Sequence, residues 1–283
     1  MFKPINQPIK SRDWLGLRVW LIGASTGIGE ALAQQLAAQG ANLVLSARRK
    51  DTLDAVASRC WHRHDQTKVC VLPFDICNEA ATVSAIDKVQ ADLAGIDLVI
   101  FNAGTYEATR IDNLTKTGTE QALKLNLIAP MNATPLMLSL LRSTNNETKP
   151  RGFAYVASVA GYRGLPRSLT YGPGKAGLIN FAESLWPDLH GMGINTWLIN
   201  PGFVRTRLTA KNTFAMPALV EPDEAAAEII DGFAKGNFEI HFPKRFSLFM
   251  KFMRLLPITW YLRLTSRLVP PLKQNGERDA ARM

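Results

Sequence analysis

Two side chains in the segment LTYGPGKAG, residues 169–177, have the types and spacing to move a proton. Tyr171 carries a phenol and Lys175, four positions on, an ammonium. A free tyrosine titrates near about 10 and is a poor base at neutral pH. A neighbouring ammonium stabilises phenolate and draws that value toward the working range. On a helix, positions four apart share a face, so a helical segment brings the two together. Pro173 and Gly174 lie between them and count against a helix interior. A helix that starts near residue 170 removes the objection, because a first-turn proline lacks only an N–H that has no helical partner there. The expectation is a helix around 171–191, starting near residue 170, with Pro173 in its first turn and Tyr171 and Lys175 on one face.

A second group of residues suits a phosphate. Gly23-Ala24-Ser25-Thr26-Gly27-Ile28-Gly29 follows the apolar run RVWLIG (18–23) and opens IGEALAQQLAAQG (28–40), which ends in glycine as a helix does. Strand, glycine turn and helix in that order let the backbone approach a pyrophosphate, whose charge the helix N-terminus favours. At the end of the next apolar run, NLVLSA (42–47), Ala47 stands where an NAD site carries an acid, and Arg48 and Arg49 follow. Guanidinium groups suit a 2′-phosphate, so NADP(H) is expected in preference to NAD(H).

The elements that hold these residues alternate regularly. Further apolar runs are KVCVLPFD (68–75), DLVIFN (97–102), GFAYVAS (152–158), INTWLIN (194–200) and FEIHF (238–242). Helical patterns lie between them, from near Asp51, from about Glu79 to Ala94, as one long helix around 117–143, and over EPDEAAAEIIDGFAKG. Continuous apolar strands alternating with helices imply a doubly wound parallel sheet of about seven strands, covered on both faces, in one α/β domain over 1–241. With 283 residues, 47% of them hydrophobic, the chain can bury a full core. Its three cysteines, Cys60, Cys70 and Cys77, are too few and odd in number for a disulfide framework. CWHRH (60–64) matches no common zinc spacing, and no metal is expected. MFKPINQPIKSRDW has no apolar core of a secretory signal, so the cytoplasm is the expected location. The sequons at Asn113, Asn132 and Asn146 are read as chance.

The net charge of +9 is not spread over the chain. Residues 241–283 hold nine Lys or Arg against Glu277 and Asp279, which accounts for seven of those nine charges. The basic signal thus belongs to a tail and gives no reason to expect nucleic acid.

Taken together and in order, these motifs resemble the classical short-chain dehydrogenase/reductases over roughly residues 14–241. The resemblance adds Asp75, with Ile76 beside it, as the adenine contact, and Asn102-Ala103-Gly104 at the end of the fourth strand. It also adds Asn126 in the next helix, Ser158 thirteen residues before Tyr171, and Pro201-Gly202, with Val204 and Thr206, after the sixth strand. Ile22 and Phe101 depart from the family pattern at positions that support the sheet. The resemblance implies a Rossmann-type fold and an oxidoreductase acting on a carbonyl or secondary alcohol. Tyr171 would be its general acid or base, and Lys175 would tune Tyr171 and hold the nicotinamide ribose. Ser158 would orient the substrate oxygen, and Asn126 would hold a water linking Lys175 to solvent. Thr206 would meet the nicotinamide carboxamide. The other reading is a non-catalytic NADP-binding scaffold or sensor, to which the Asn–Ser–Tyr–Lys set is of no use.

The segment 203–222, with Phe203, Leu208, Phe214, Met216 and Leu219, has the place of a substrate lid and favours a lipophilic carbonyl or alcohol. Beyond it, 242–283 reads as a basic, amphipathic helical extension. Lys251, Arg254, Pro257, Arg263 and Arg267 interrupt its apolar residues, and the spacing puts the basic residues on a helix face with the apolar ones mostly elsewhere. Such a tail fits peripheral contact with an anionic membrane surface, packing in a homodimer or homotetramer, or a cover over the active-site mouth.

Overall fold

The apolar runs form a single sheet of seven parallel strands in the computed structural model, which describes residues 4–61, 63–142, 149–212, 214 and 216–268, Lys211 by its backbone only. His62, Asn146, Lys273, Glu277, Arg278, Asp279 and Arg282 lie outside the described residues. The strands are β1 (Arg18–Ile22), β2 (Asn42–Ser46), β3 (Val69–Val71), β4 (Leu98–Phe101), β5 (Gly152–Val156), β6 (Asn195–Pro201) and β7 (Glu239–Phe242). Their order is β3-β2-β1-β4-β5-β6-β7, with Ile22 registered against both Ser46 and Phe101. The order reverses between β1 and β4, and the carboxyl ends there open the crevice where such sheets bind ligands.

Helices cover both faces. The α1 (Ile28–Ala38), α2 (Lys50–Trp61) and α7 (Pro222–Lys235) helices bury Leu32, Leu36, Val56, Ile229 and Phe233 against one face. On the other, α3 (Glu79–Leu93), α5 (Ala129–Arg142) and α6 (Tyr171–Gly191) bury Val89, Met137, Leu140, Leu178 and Ala182. Both faces of β1, β2, β4, β5 and β6 are therefore largely dry, which is why these strands read as apolar runs. Phe101 stacks on Tyr155 at 5.3 Å, so its departure from the family pattern fills the core.

Three elements differ from expectation. The run 68–75 is a strand only over Val69–Val71, although Leu72 and Phe74 still donate to the β2 side, to Leu45 and Ala47. Pro73 has no N–H with which to continue the ladder. The long helix around 117–143 is two, α4 (Lys116–Leu123) and α5, joined by a π-helical turn over Lys124–Ile128. Pro130 explains the turn: in a regular helix its ring would press on the carbonyl of Asn126, four residues back. The widened turn relieves that contact, and the Ala129 N–H reaches Lys124 instead. The tail holds two helices, α8 (Lys244–Leu255) and α9 (Ile258–Ser266), broken at Pro257.

Candidate active site

Glycine shapes the crevice because any side chain would fill it. Gly23 has φ +92°, and a Cβ there would lie 2.4 Å from the backbone nitrogen of Ala103. A Cβ on Gly29 would lie 2.2 Å from the carbonyl oxygen of Gly23. Asn102 donates through Nδ2 to that same carbonyl at 2.7 Å and so ties the glycine turn to the end of β4. The α1 N-terminus, at Gly27, has no side-chain cap. Its first N–H groups are left for a ligand. Thr206 packs where a Cβ on Gly27 would stand, so the stretch after β6 closes over the turn.

Arg48 and Arg49 are exposed beside this turn and line the same cleft, with no carboxylate at ion-pair distance among the described residues. Asp75 lines it too, its Oδ1 accepting from the Cys77 N–H at 2.9 Å, with Ile76 adjacent. A close backbone, an uncapped helix terminus and two free guanidinium groups fit a dinucleotide with a 2′-phosphate.

Tyr171 begins α6, Thr170 takes the N-cap position, and Pro173 falls in the first turn. Lys175, one turn on, is 3% exposed. Its Nζ donates to the carbonyl of Val156 at 2.8 Å and lies 5.7 Å from the centre of the Tyr171 ring. Ser158 caps a short 3₁₀ turn after β5, and its Oγ accepts from the Ala160 N–H at 3.1 Å. Asn126 sits in the π-helical turn and is 1% exposed. Its amide is held from both ends by Thr105, accepting from the N–H at 3.1 Å and donating to the carbonyl at 2.9 Å. A Cβ on Gly104 would lie 3.0 Å from Asn126 Oδ1 and 3.5 Å from Lys175 Nζ, so that glycine lets the two side chains approach across it.

The electrostatics reverse one expectation. Lys175 does not draw the Tyr171 phenol down. Burial pushes it up to about 12, hydrogen bonding with Ser158 opposes the shift, and Tyr106 adds to it. Burial also lowers Lys175 to about 8. Loss of water sets the direction at both groups, while the Lys175 Nζ gives its hydrogen bond to the Val156 carbonyl. Tyr171 is thus a protonated phenol at neutral pH.

The structure gathers the residues singled out for chemistry or cofactor contact along one cleft of about 1820 Å³, except Gly29, which packs behind the turn, and Asn126, which is buried beside Gly104 and does not line the cleft. Pro201, Gly202, Val204 and Thr206 form the wall next to the glycine turn. Val204 bridges to Val220 at the base of the lid, and Phe203 packs edge-on to Phe214 at 6.0 Å. One contributor was not foreseen, and the tail, for which a cover over the mouth was one of three readings, adds another. Tyr106, on the loop after β4, packs edge-on against Tyr171 at 5.1 Å. Phe246, Phe249 and Met250 of α8 line the far end, with Phe246 at 5.5 Å from Phe203, so the tail covers part of the mouth. Tyr106 was missed because an aromatic residue in a loop carries no periodic signal.

A family model described as short chain dehydrogenase matches residues 18–216, the span that carries every residue singled out for chemistry or cofactor contact. The chain belongs to the short-chain dehydrogenase family. This dehydrogenase is 32% identical over 237 residues to an uncharacterized oxidoreductase of Myxococcus xanthus (strain DK1622), covering 83% of the chain and 90% of that protein. It is 29% identical over 245 residues to 17-beta-hydroxysteroid dehydrogenase 13 of Rattus norvegicus, covering 83% of the chain and 78% of the relative. Among solved structures, a short-chain dehydrogenase from Sphingobium yanoikuyae in complex with NADPH superposes with a TM-score of 0.72. That match has 24% identity and covers 93% of this chain and 99% of the other. The fold is shared with NADPH-bound relatives, and the dehydrogenase is an oxidoreductase of this family.

Proposed function

We propose that this dehydrogenase transfers hydride between NADP(H) and a lipophilic carbonyl compound or secondary alcohol, with Tyr171 giving or taking the proton. The observation that carries the reading is the Tyr171 phenol beside Ser158 in a cleft that also presents Lys175 and an open glycine turn, with Asn126 buried close to Gly104 of the same cleft. When bound, the nicotinamide supplies or accepts the hydride. Ser158 donates a hydrogen bond to the substrate oxygen and fixes its position. Tyr171, protonated at neutral pH, hands its proton to the oxygen as negative charge develops there, which favours reduction. Lys175 keeps positive charge at the site below about pH 8, and Asn126 holds a water through which Lys175 exchanges protons with solvent.

Arg48 and Arg49 support NADP(H) over NAD(H), since an acid at Ala47 is missing and the guanidinium groups are free to meet a 2′-phosphate. The NADPH named with the Sphingobium structure agrees with this preference. Apolar side chains from the lid and tail, Phe203, Phe214, Phe246 and Met250, support a lipophilic substrate. The steroid dehydrogenase named among the relatives points the same way.

The test is Tyr171→Phe, assayed for NADPH oxidation against a panel of ketones, aldehydes and steroids. Turnover is expected to vanish while NADPH still raises the unfolding temperature. Retained turnover overturns the assignment of Tyr171. A wild-type protein that binds NADPH but turns over nothing favours the scaffold reading.

A further inference from the structure

The outward face of α8 is apolar, which reverses the usual order of a surface helix. Ser247, Met250 and Met253 point into the protein and are buried. Leu248, Phe252 and Leu255, spaced by four and three so as to share a face, are 55%, 59% and 80% exposed. In α9, Tyr261 and Thr265 are buried, while Ile258, Trp260, Leu262 and Leu264 are exposed. Among the described residues no side chain covers this surface. The sequence that follows, VPPLKQNGERDAARM, has few apolar residues with which to do so. Clustered exposed apolar groups on this scale mark a contact surface.

Charge identifies what the surface contacts. No acid occurs from residue 240 to residue 276. The helices carry Lys244, Arg245, Lys251, Arg254, Arg263 and Arg267, and only Lys251 pairs with a carboxylate, Glu239 at 2.6 Å, among the described residues. A two-fold contact with a second copy would set this basic face against itself. An anionic lipid surface complements it, and its acyl boundary accepts the leucines and aromatics between the cations. No helix of the described residues is long and apolar enough to cross a membrane, so the geometry fits lying on one.

The helices are also fixed relative to the cleft. Arg163 donates to the carbonyls of Met253 at 2.7 Å and Leu256 at 2.8 Å and lies 4.1 Å over the Tyr261 ring. Tyr261 donates to the Gly164 carbonyl at 2.6 Å. Phe249 and Leu268 are exposed on this surface and also line the cleft, as do the exposed Leu114 and Leu208. The apolar surface and the cleft mouth are therefore continuous.

We propose that α8 and α9 dock this protein on an anionic bilayer with the cleft mouth against the lipid. The consequence that a membrane-dissolved substrate enters the cleft from the bilayer rests on the oxidoreductase reading above; the docking itself does not.

The test is flotation of the full chain with phosphatidylcholine vesicles, with and without phosphatidylglycerol. Flotation with the anionic vesicles is expected, and quenching by brominated lipid is expected to disappear in Trp260→Phe. Arg263→Gln with Arg267→Gln should weaken binding about thirtyfold. Leu248→Ser with Phe252→Ser should weaken it at least as much. An unchanged thermal shift with NADPH shows that each variant is folded. Failure of the wild type to float with anionic vesicles overturns the proposal, as does flotation of both double variants like the wild type. So does a vesicle-independent dimer that the leucine–phenylalanine variant dissociates, since the occupant is then a second copy. For entry from the bilayer, the variants should lose reduction of a lipophilic ketone supplied in anionic vesicles and keep reduction of a water-soluble one. Equal rates on both overturn it. If the wild type reduces neither ketone, the oxidoreductase reading has failed, and flotation still decides the docking.

Discussion

Replacing Lys175 by methionine should make the cofactor-free protein more stable while removing its activity. The ammonium is 3% exposed, has no carboxylate partner among the described residues, and makes one hydrogen bond, to the Val156 carbonyl. Burial lowers Lys175 from 10.5 to about 8. While charged, the side chain therefore costs about 3 kcal/mol relative to its place in the unfolded chain. Methionine is of similar length, removes that cost and gives up one hydrogen bond of about 1 kcal/mol. The expected net gain is about 2 kcal/mol at pH 7. Its sign reverses the usual case of a lysine that gains a partner on folding. The cost is present in full below the folded value, falls as pH rises from about 8 toward 10.5, and is gone above that. Urea unfolding of both proteins, followed by circular dichroism at pH 7 and pH 10, measures the gap. It should be widest at pH 7 and shrink or reverse at pH 10. A Lys175→Met protein less stable than its parent at pH 7, or a gap independent of pH, would refute the reasoning.

Three further outcomes are expected. NADPH should raise the unfolding temperature more than NADH, and Arg48→Ala should weaken NADPH binding about thirtyfold, the effect of one charged hydrogen bond; equal shifts from the two cofactors count against the role of Arg48. Gly29→Ala places a Cβ 2.2 Å from a backbone oxygen of the glycine turn, so a soluble variant should lose NADPH binding, and normal binding by calorimetry would disprove that geometry. Burial of Glu239 is outweighed by hydrogen bonds from Lys251, Tyr162 and Asn200, which hold its carboxyl below the usual range. Glu239→Gln should therefore cost about 2 kcal/mol at pH 7, with the gap to the parent closing as pH falls below 4.5 through the lowered value; a gap that persists in acid would sink this account.

The parts of the fold held by local rules were legible in the sequence. Strands dry on both faces read as apolar runs, and Gly23, Gly27 and Gly29 marked the turn because no other residue fits it. Pro173 placed the start of α6 with Tyr171 and Lys175 on it, whereas Ser158 and Asn126 were singled out through the resemblance to the family. What escaped depended on contacts distant in the chain. Glu239 joins Tyr162, Asn200 and Lys251 from three other elements, and no spacing announces that. The acidity of Tyr171 was misjudged because Lys175 could be counted in the sequence, whereas the burial that dominates both groups could not. In the tail, the spacing of the cations suggested a polar face, but Pro257 divides the segment and α8 turns Leu248, Phe252 and Leu255 outward.

The π-helical turn at Lys124–Ile128 sets the phase between two jobs done by one stretch of chain. Ahead of it, Ala122 lines the cleft, and within it Asn126 is held by Thr105; behind it, Ala133, Met137, Leu140 and Leu141 press on the sheet. A regular helix advances by about 100° per residue, so deleting any one residue here would rotate one half against the other by that amount. Either the amide would swing away from Lys175 or the apolar stripe would leave the core. The single surplus residue works as a fixed angular offset, and it makes the length of this segment, rather than its composition, the property that cannot drift.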